Sequence, residues 1–372
     1  MYAVINRSFT PDHEVPGEAL LGLANSLAAL SKTHVLTQSN KKLASHRMHE
    51  NLSITYASSF TDSNSSILYR IIEAVYFMMF VIIFLIRRQP KRIYIATDPP
   101  IIIPFMVAIY SKFSGAKFYY HIQDLHPESY HSIKPLNEYI YFALATIDNY
   151  SLSRAEVIIT LSDDMLESIC KRSEKLRKKI ILLPNTCIQP NHTLRRKNKD
   201  IIFAGNAGRL QNIDFLIDEI TEYLFEQGCL NFTFLGTGVF KDKIKDLSNK
   251  YPNSVQYLGF YPLQETVDII NAHKWGLLPI KEEALKYAFP SKSAAYAVCG
   301  CNVIGICGVN NSLSRWIKDE NLGISIVPKK GKLKNLLKEI EIHEVEFSKT
   351  YNTYKYSNAF FIKTLNNLIL AN

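Results

Sequence analysis

Residues 201–212 read Ile201-Ile202-Phe203-Ala204-Gly205-Asn206-Ala207-Gly208-Arg209-Leu210-Gln211-Asn212. An apolar run, a glycine turn and a helical pattern from Asn212 predict a strand that passes straight into a helix. At such a junction the unpaired N–H groups and the dipole of the helix converge on one spot, which suits an anion. Arg209 adds a two-pronged donor matched to phosphate. Neither GxGxxG nor GK[ST] is present, so this is not a dinucleotide fingerprint or a P-loop. A plain structural turn is the competing reading.

The same rhythm extends in both directions. Downstream, Phe232–Leu235, Val255–Leu258, Gly276–Pro279, Val303–Ile306 and Ile324–Val327 are short apolar runs separated by helix-length segments. Upstream, Tyr2–Asn6, His34–Thr37, Ile93–Thr97, Phe118–Ile122, Val157–Leu161 and Ile180–Leu183 alternate with helical stretches such as Glu18–Leu30, Pro104–Phe113 and Leu136–Leu152. Alternating strands and helices predict parallel sheets. The rhythm restarts after Pro184-Asn185-Thr186, and the polar stretch Gln189–Asp200 reads as a linker. The expected architecture is therefore α/β, with two Rossmann-like doubly wound domains, 1–184 and 185–357, facing a cleft. Ligands of open α/β sheets bind beyond the carboxyl ends of the strands, so the residues that follow strands matter most.

Three more stretches meet that condition. In Phe289-Pro290-Ser291-Lys292, Ser291 reads as an N-cap and Lys292 falls in the first helical turn. A cation there opposes the dipole unless an anion arrives. In His121-Ile122-Gln123-Asp124-Leu125-His126-Pro127-Glu128-Ser129, histidines and acids after a strand suit acid–base work or sugar hydroxyls. A cap-and-turn role for Asp124 and Glu128 is the alternative, and a loop containing Pro127 offers no regular metal-ligand face. In Phe9–Glu18, Gly17 lets backbone come close to a ligand, and a solvated loop is the alternative.

Composition bounds the remaining choices. The chain has 372 residues, 47% hydrophobic and 21% charged, which excludes disorder and collagen-like repeats. Six cysteines without CxxC or metal-type spacing argue against zinc and a disulfide framework. Only five residues precede polar Asn6, too few for a signal-peptide core, so a reduced, cytoplasmic protein is expected. The net charge of +9 gathers in runs at 87–92, 171–179 and 195–199. Basic runs are solvated faces or sites for anionic lipid or nucleic acid. No aromatic-studded basic motif accompanies them, so nucleic acid is not expected as a partner. The first run follows Ile71–Ile86, sixteen residues in which Glu73 carries the one charge. A helix of that length spans about 24 Å, short of the ~30 Å hydrocarbon core. The readings left open are a buried crossover helix and a helix at the lipid interface with a basic collar, with a transmembrane span the least supported.

Taken together these motifs resemble retaining glycosyltransferases of the GT-B fold, in the large family 4 class, over nearly the whole chain. The similarity is to bacterial enzymes that build O-antigen and capsule repeat units. HIQDLHPES is similar to that branch's DxWPE segment, FAGNAGRLQN to its GNxGxxQ turn, LGTG to its GxG turn, FPSKSAAYAVCGCNVI to its PSKxxEYxAxGxPVI motif, and Pro184-Asn185 to its hinge.

The resemblance implies that Arg209 and Lys292 hold the donor diphosphate, beside Asn206, Gly208 and Ser291. It places Asp124 near the transferred sugar and acceptor, and Gly17 in the loop that meets the phosphates, while His121 and Glu128 stay candidate substrate contacts from the strand-end reading above. It makes 1–184 the acceptor-side domain, 185–357 the nucleotide-sugar domain, and 358–372 a helix crossing back to the first domain. Two departures stand out. Ala295 occupies the place of the glutamate that would bind ribose, and Tyr287 that of its partner acid, which leaves Glu282 or Glu283 as substitutes.

The expected activity is transfer of a sugar from a nucleoside-diphosphate donor to a lipid-linked oligosaccharide acceptor, with retention, at the inner face of the cytoplasmic membrane. The chain has no Asp-x-Asp pair, and neither a metal nor an organic cofactor is expected. A sugar-nucleotide 2-epimerase and a non-catalytic GT-B partner subunit are the alternatives.

Overall fold

The structure, a computed structural model, describes residues 1–61, 65–191, 197–343 and 352–371. Arg195 and Arg196 of the third basic run lie outside the described residues. The chain divides into two compact units, Met1–Pro184 with Asn358–Asn372, and Asn185–Ser357.

Unit 1 holds a seven-stranded parallel sheet in the order β3-β2-β1-β4-β5-β6-β7. Its strands are β1 (Tyr2–Ile5), β2 (Thr33–Gln38), β3 (Leu52–Ala57), β4 (Arg92–Ala96), β5 (Lys117–Ile122), β6 (Val157–Thr160) and β7 (Ile180–Leu182). The helices are α1 (Glu14–Ala28), α2 (Ile67–Arg88), α3 (Ile102–Ser114), α4 (Glu128–Ile133), α5 (Glu138–Arg154) and α6 (Asp163–Arg172). The reading above lacks β3, an edge strand in which exposed Ser53 and half-buried Thr55 interrupt the apolar run. The order of strands reverses direction between β1 and β4, the position where doubly wound sheets bind ligands.

The α2 helix is longer than the sequence suggested. It runs for 22 residues, about 33 Å, because Ser66 caps its start and Arg70 is accommodated inside it. It ends at Gln89, whose φ of 48° closes the last turn just before Pro90. On its inner face Phe77, Val81, Phe84 and Leu85 are buried, and the Phe84 ring lies 4.9 Å from His34 of β2. Burial of each such side chain contributes about 1.5–3 kcal/mol.

Unit 2 holds a six-stranded parallel sheet in the order β10-β9-β8-β11-β12-β13. These strands are β8 (Lys199–Ala204), β9 (Phe232–Leu235), β10 (Val255–Gly259), β11 (His273–Pro279), β12 (Asn302–Ile306) and β13 (Gly323–Ile326). Its helices are α7 (Ile213–Phe225), α8 (Lys241–Lys250), α9 (Leu263–Asn271), α10 (Lys292–Val298), α11 (Ser312–Asp319) and α12 (Lys332–Ile342). Apolar clusters cover both of its faces. The final helix, α13 (Asn358–Ala371), belongs to unit 1 and buries Phe361, Leu365 and Ile369 in the cluster that contains α1.

Candidate functional site

In unit 2 the polar residues gather at the carboxyl ends of β8 and β11, where the strand order reverses. The turn after β8 interlocks with the turn after β9. Gly205 N donates to Leu235 O at 2.7 Å, and Ala207 N donates to Thr237 O at 2.7 Å. Gly236 adopts φ +121°, and a Cβ there would stand 2.2 Å from Gly205 O, so only glycine lets these turns close. Asn212 ties the same turn to the neighbouring strands, donating through Nδ2 to Ile280 O at 3.1 Å and Ile306 O at 3.3 Å. The sequence reading placed Asn212 as a helix start and missed this bracing role.

Lys292 lies across this turn. Its Nζ sits 4.4 Å from the centre of the Phe203 ring, and a Cβ on Gly205 would come within 2.8 Å of its Cε. The residue is half-buried, and it has no ion pair or hydrogen bond among the described residues. Protein around the ammonium replaces hydrating water and pulls its pKa from 10.5 down to about 7. A cation kept from water with no counter-charge, over glycine backbone, is an anion-binding arrangement. Asn206 and Arg209 are exposed on the same turn, and Gly208 lies beside Asn206 Nδ2. Ser291 occupies the N-cap position of α10, but its side chain makes no cap and is exposed.

Glu282 folds over the backbone after β12, since a Cβ on Gly308 would meet its Oε2 at 2.8 Å. Glu283 is exposed on the same short turn. Ala295 packs against the apolar cluster of unit 2, so its methyl group contributes nothing polar.

In unit 1 the carboxyl ends of β1, β4 and β5 carry a second cluster. Asp98, after β4, accepts from Arg7 Nε at 2.9 Å, from Ser8 N at 3.1 Å and from the Ser8 hydroxyl. Thr97 Oγ1 accepts from Gln123 N at 3.2 Å and Asp124 N at 3.4 Å, which joins the β4 and β5 loops. The Asp124 side chain reaches solvent, yet its carboxyl is crowded by protein. Lost hydration, and then the charge of Asp98, push its pKa up to about 6. Arg7, Ser8 and Asp98 went unread in the sequence, although they obey the same rule of following a strand.

Three expected contacts of unit 1 are corrected. His121 is a core residue. It shares one face of β5 with Tyr119, its Nδ1 pairs with Tyr94 Oη at 2.6 Å, and its ring lies 6.0 Å from Phe361 of α13. Burial lowers its pKa to about 4. Glu128 belongs to a buried ion cluster. Arg172 donates to both of its oxygens, to Asp148 Oδ2 at 2.5 Å and to His126 O at 2.6 Å, while Tyr120 Oη donates to Asp148 Oδ1 at 3.0 Å. Gly17 is buried in α1, where a Cβ would stand 2.2 Å from Thr10 N, so its own loop fills the space a ligand would need.

Compared with protein families and with curated proteins, the chain matches none. Solved structures do match. Anabaena HepE in complex with UDP superposes with a TM-score of 0.67 at 11% identity, covering 100% of both chains. The apo form of WaaB, a lipopolysaccharide outer core galactosyltransferase, gives 0.61 at 15% identity, covering 100% of this chain and 99% of that one. The UDP-GlcNAc 2-epimerase of Neisseria meningitidis bound to UDP-GlcNAc gives 0.59 at 10% identity over 100% of both. With its two parallel α/β units of seven and six strands, the chain has the GT-B glycosyltransferase fold.

Proposed function

We propose that the protein is a retaining glycosyltransferase. It moves a sugar from a nucleoside-diphosphate donor, a uridine one by the ligands of its structural neighbours, to a lipid-linked oligosaccharide of bacterial surface polysaccharide such as O-antigen or capsule. The acceptor would be met at the inner face of the cytoplasmic membrane. The observation that carries this reading is Lys292, a desolvated cation without a counter-charge above the glycine turn of β8.

In the proposed reaction the bond between the anomeric carbon and the diphosphate breaks, and negative charge grows on the leaving oxygens. Lys292 and Arg209 stabilise that charge, and the N–H groups of the 205–209 turn add to it. Asp124, ionised above about pH 6, accepts a hydrogen bond from a sugar hydroxyl. Among the described residues no carboxylate stands out as a nucleophile, which favours departure and attack on the same face of the sugar.

Thermal shift of the purified chain with UDP, GDP, CDP, dTDP, ADP and NAD tests donor binding. A ligand at 100 times its Kd stabilises by about 2.7 kcal/mol. A response to one nucleoside diphosphate, followed by transfer from the matching sugar nucleotide, supports the proposal. Two other readings have observations behind them. The likeness to the 2-epimerase favours conversion of the donor with no acceptor present. Ala295, apolar where ribose would be held, favours a non-catalytic subunit, which predicts silence from every nucleotide.

A further inference from the structure

We infer that unit 1 lies on an anionic lipid bilayer through the outer face of α2, extended over the adjoining ends of α2 and α3. The choice of partner accords with the lipid-borne acceptor proposed above, but the surface stands on its own observations.

Leu68, Ile72, Val75, Met79, Ile83 and Ile86 follow one another at intervals of three and four, which puts them on one side of α2. Each is between 44% and 66% exposed. The opposite side, Phe77, Val81 and Leu85, is at most 1% exposed. A helix apolar on both sides is normally covered on both sides, and here nothing in the described residues covers the outer one. From Leu68 to Ile86 the charged residues are Arg70 and the buried Glu73, so no acid interrupts the outer stripe.

At its C-terminal end the stripe runs into a hollow of about 610 Å³ lined by Ile86, Pro90, Lys91, Tyr110, Phe113 and Ala116. Phe113, at the end of α3, is 82% exposed. Lys91 lines this hollow, and Arg87, Arg88 and Lys112 adjoin its lining in sequence. All four cations are exposed, and none has an ion-pair partner among the described residues. An apolar face bordered by unpaired cations matches the two layers of a membrane surface, acyl chains below and phosphates above. A protein partner would have to supply both features separately.

The helix lies in the plane of that surface and does not cross it. Glu73 is buried and accepts from Phe60 N at 2.6 Å, Thr61 N at 3.0 Å, the Ser59 hydroxyl at 3.2 Å and the Thr61 hydroxyl. Together with Phe77 and Val81 it fixes the inner face to the unit. A crossing orientation would expose all of these groups to lipid. The α2 helix leads from β3 to β4 of a parallel sheet, so its first turn shares the edge that carries Asp98 and Asp124. The acceptor-side cluster is thereby held near the level of the lipid surface.

The test is sedimentation of the full chain with vesicles of phosphatidylcholine alone, or with about one third phosphatidylglycerol. Binding is expected to the anionic vesicles, to weaken with salt, and to be poor on neutral ones. Each cation at such a surface contributes about fivefold in partitioning, so Arg87→Ala with Arg88→Ala should cost about 25-fold. Ile72→Asp with Ile83→Asp should abolish binding. Circular dichroism and melting of the variants establish that they fold. Met79→Trp offers an independent readout, a blue shift of emission and quenching by brominated lipid on anionic vesicles. Wild-type chain that stays in the supernatant, variants that bind undiminished, or a dimer that Ile83→Asp dissociates without any vesicle binding would each overturn the inference. None of these readouts depends on sugar transfer.

Discussion

The ammonium of Lys292 stands 4.4 Å from the centre of the Phe203 ring with no anion beside it. The aromatic face offers about 0.5–2 kcal/mol of attraction, less than a full counter-charge would give. Lys292→Ala should weaken kcat/KM by roughly 10–100-fold, the loss of about 1.5–3 kcal/mol from one charged hydrogen bond. Melting should stay level or rise, because a poorly hydrated charge is removed. Arg209→Ala should show a loss of similar size. Near-normal turnover in both variants would exclude the assignment.

Titration of Lys292 gives a sign for the pH dependence of nucleotide binding. Its pKa of about 7 in the free protein lies below the ordinary 10.5, so part of the population is neutral above neutrality. A bound diphosphate favours the charged form, and binding therefore takes up a proton. Affinity for UDP should fall by up to about tenfold per pH unit between roughly pH 7.5 and 9. Lys292→Arg keeps its charge and should flatten that slope, as calorimetric titration in buffers of different ionisation enthalpy can establish.

Burial, and after it the charge of Asp98, hold the Asp124 pKa at about 6, above the ordinary 3.8. Asp98→Asn removes that repulsion and leaves Arg7 without its carboxylate, and both changes favour ionised Asp124. The acidic limb of the kcat/KM profile, expected near pH 6, should move to lower pH. A limb that stays in place would detach Asp124 from the rate.

Gly236→Ala should be far more costly than Gly115→Ala. Both glycines have positive φ, but a Cβ at position 236 meets Gly205 O at 2.2 Å, whereas at position 115 nothing lies within 4 Å. Strain alone costs about 1–2 kcal/mol at Gly115, and the clash should bring Gly236→Ala to about 3 kcal/mol or more. Denaturant melts of the two variants provide the comparison.

Arg172→Ala leaves Asp148, 2% exposed, without its cation, and should destabilise the protein by about 3–5 kcal/mol. Burial raises the Asp148 pKa even with Arg172 present. The deficit should therefore shrink as pH falls and the carboxylates take up protons. Melting curves of both proteins from about pH 7 to 5 would reveal this convergence.

The sheets were legible wherever strands were wholly buried. Val4, Ile95, Phe118, Ile202 and Val303 lie in continuous apolar runs because helices cover both faces. β3 escaped notice because Ser53 and Thr55 interrupt its apolar run. The geometry was legible where it is local, as in the glycine turn that follows β8 at 205–209 and in Lys292 at the start of α10. It failed where a role depends on distant partners. Glu128 resembles a sugar-binding acid until Arg172, forty-four residues away, is seen to occupy it. The position of His121 inside the unbroken run Phe118–Ile122 was the available sign that it belongs to the core.

The return of α13 to unit 1 also orders the birth of the molecule. Phe361, Leu365 and Ile369 complete the core around α1, yet they follow the whole of unit 2 in the chain. During synthesis unit 2 can fold as soon as it emerges, while unit 1, though made first, waits with the α1 side of its core uncovered. A nascent chain stalled before Asn358 would therefore hold all of the second unit and still lack the helix that completes the core of the first.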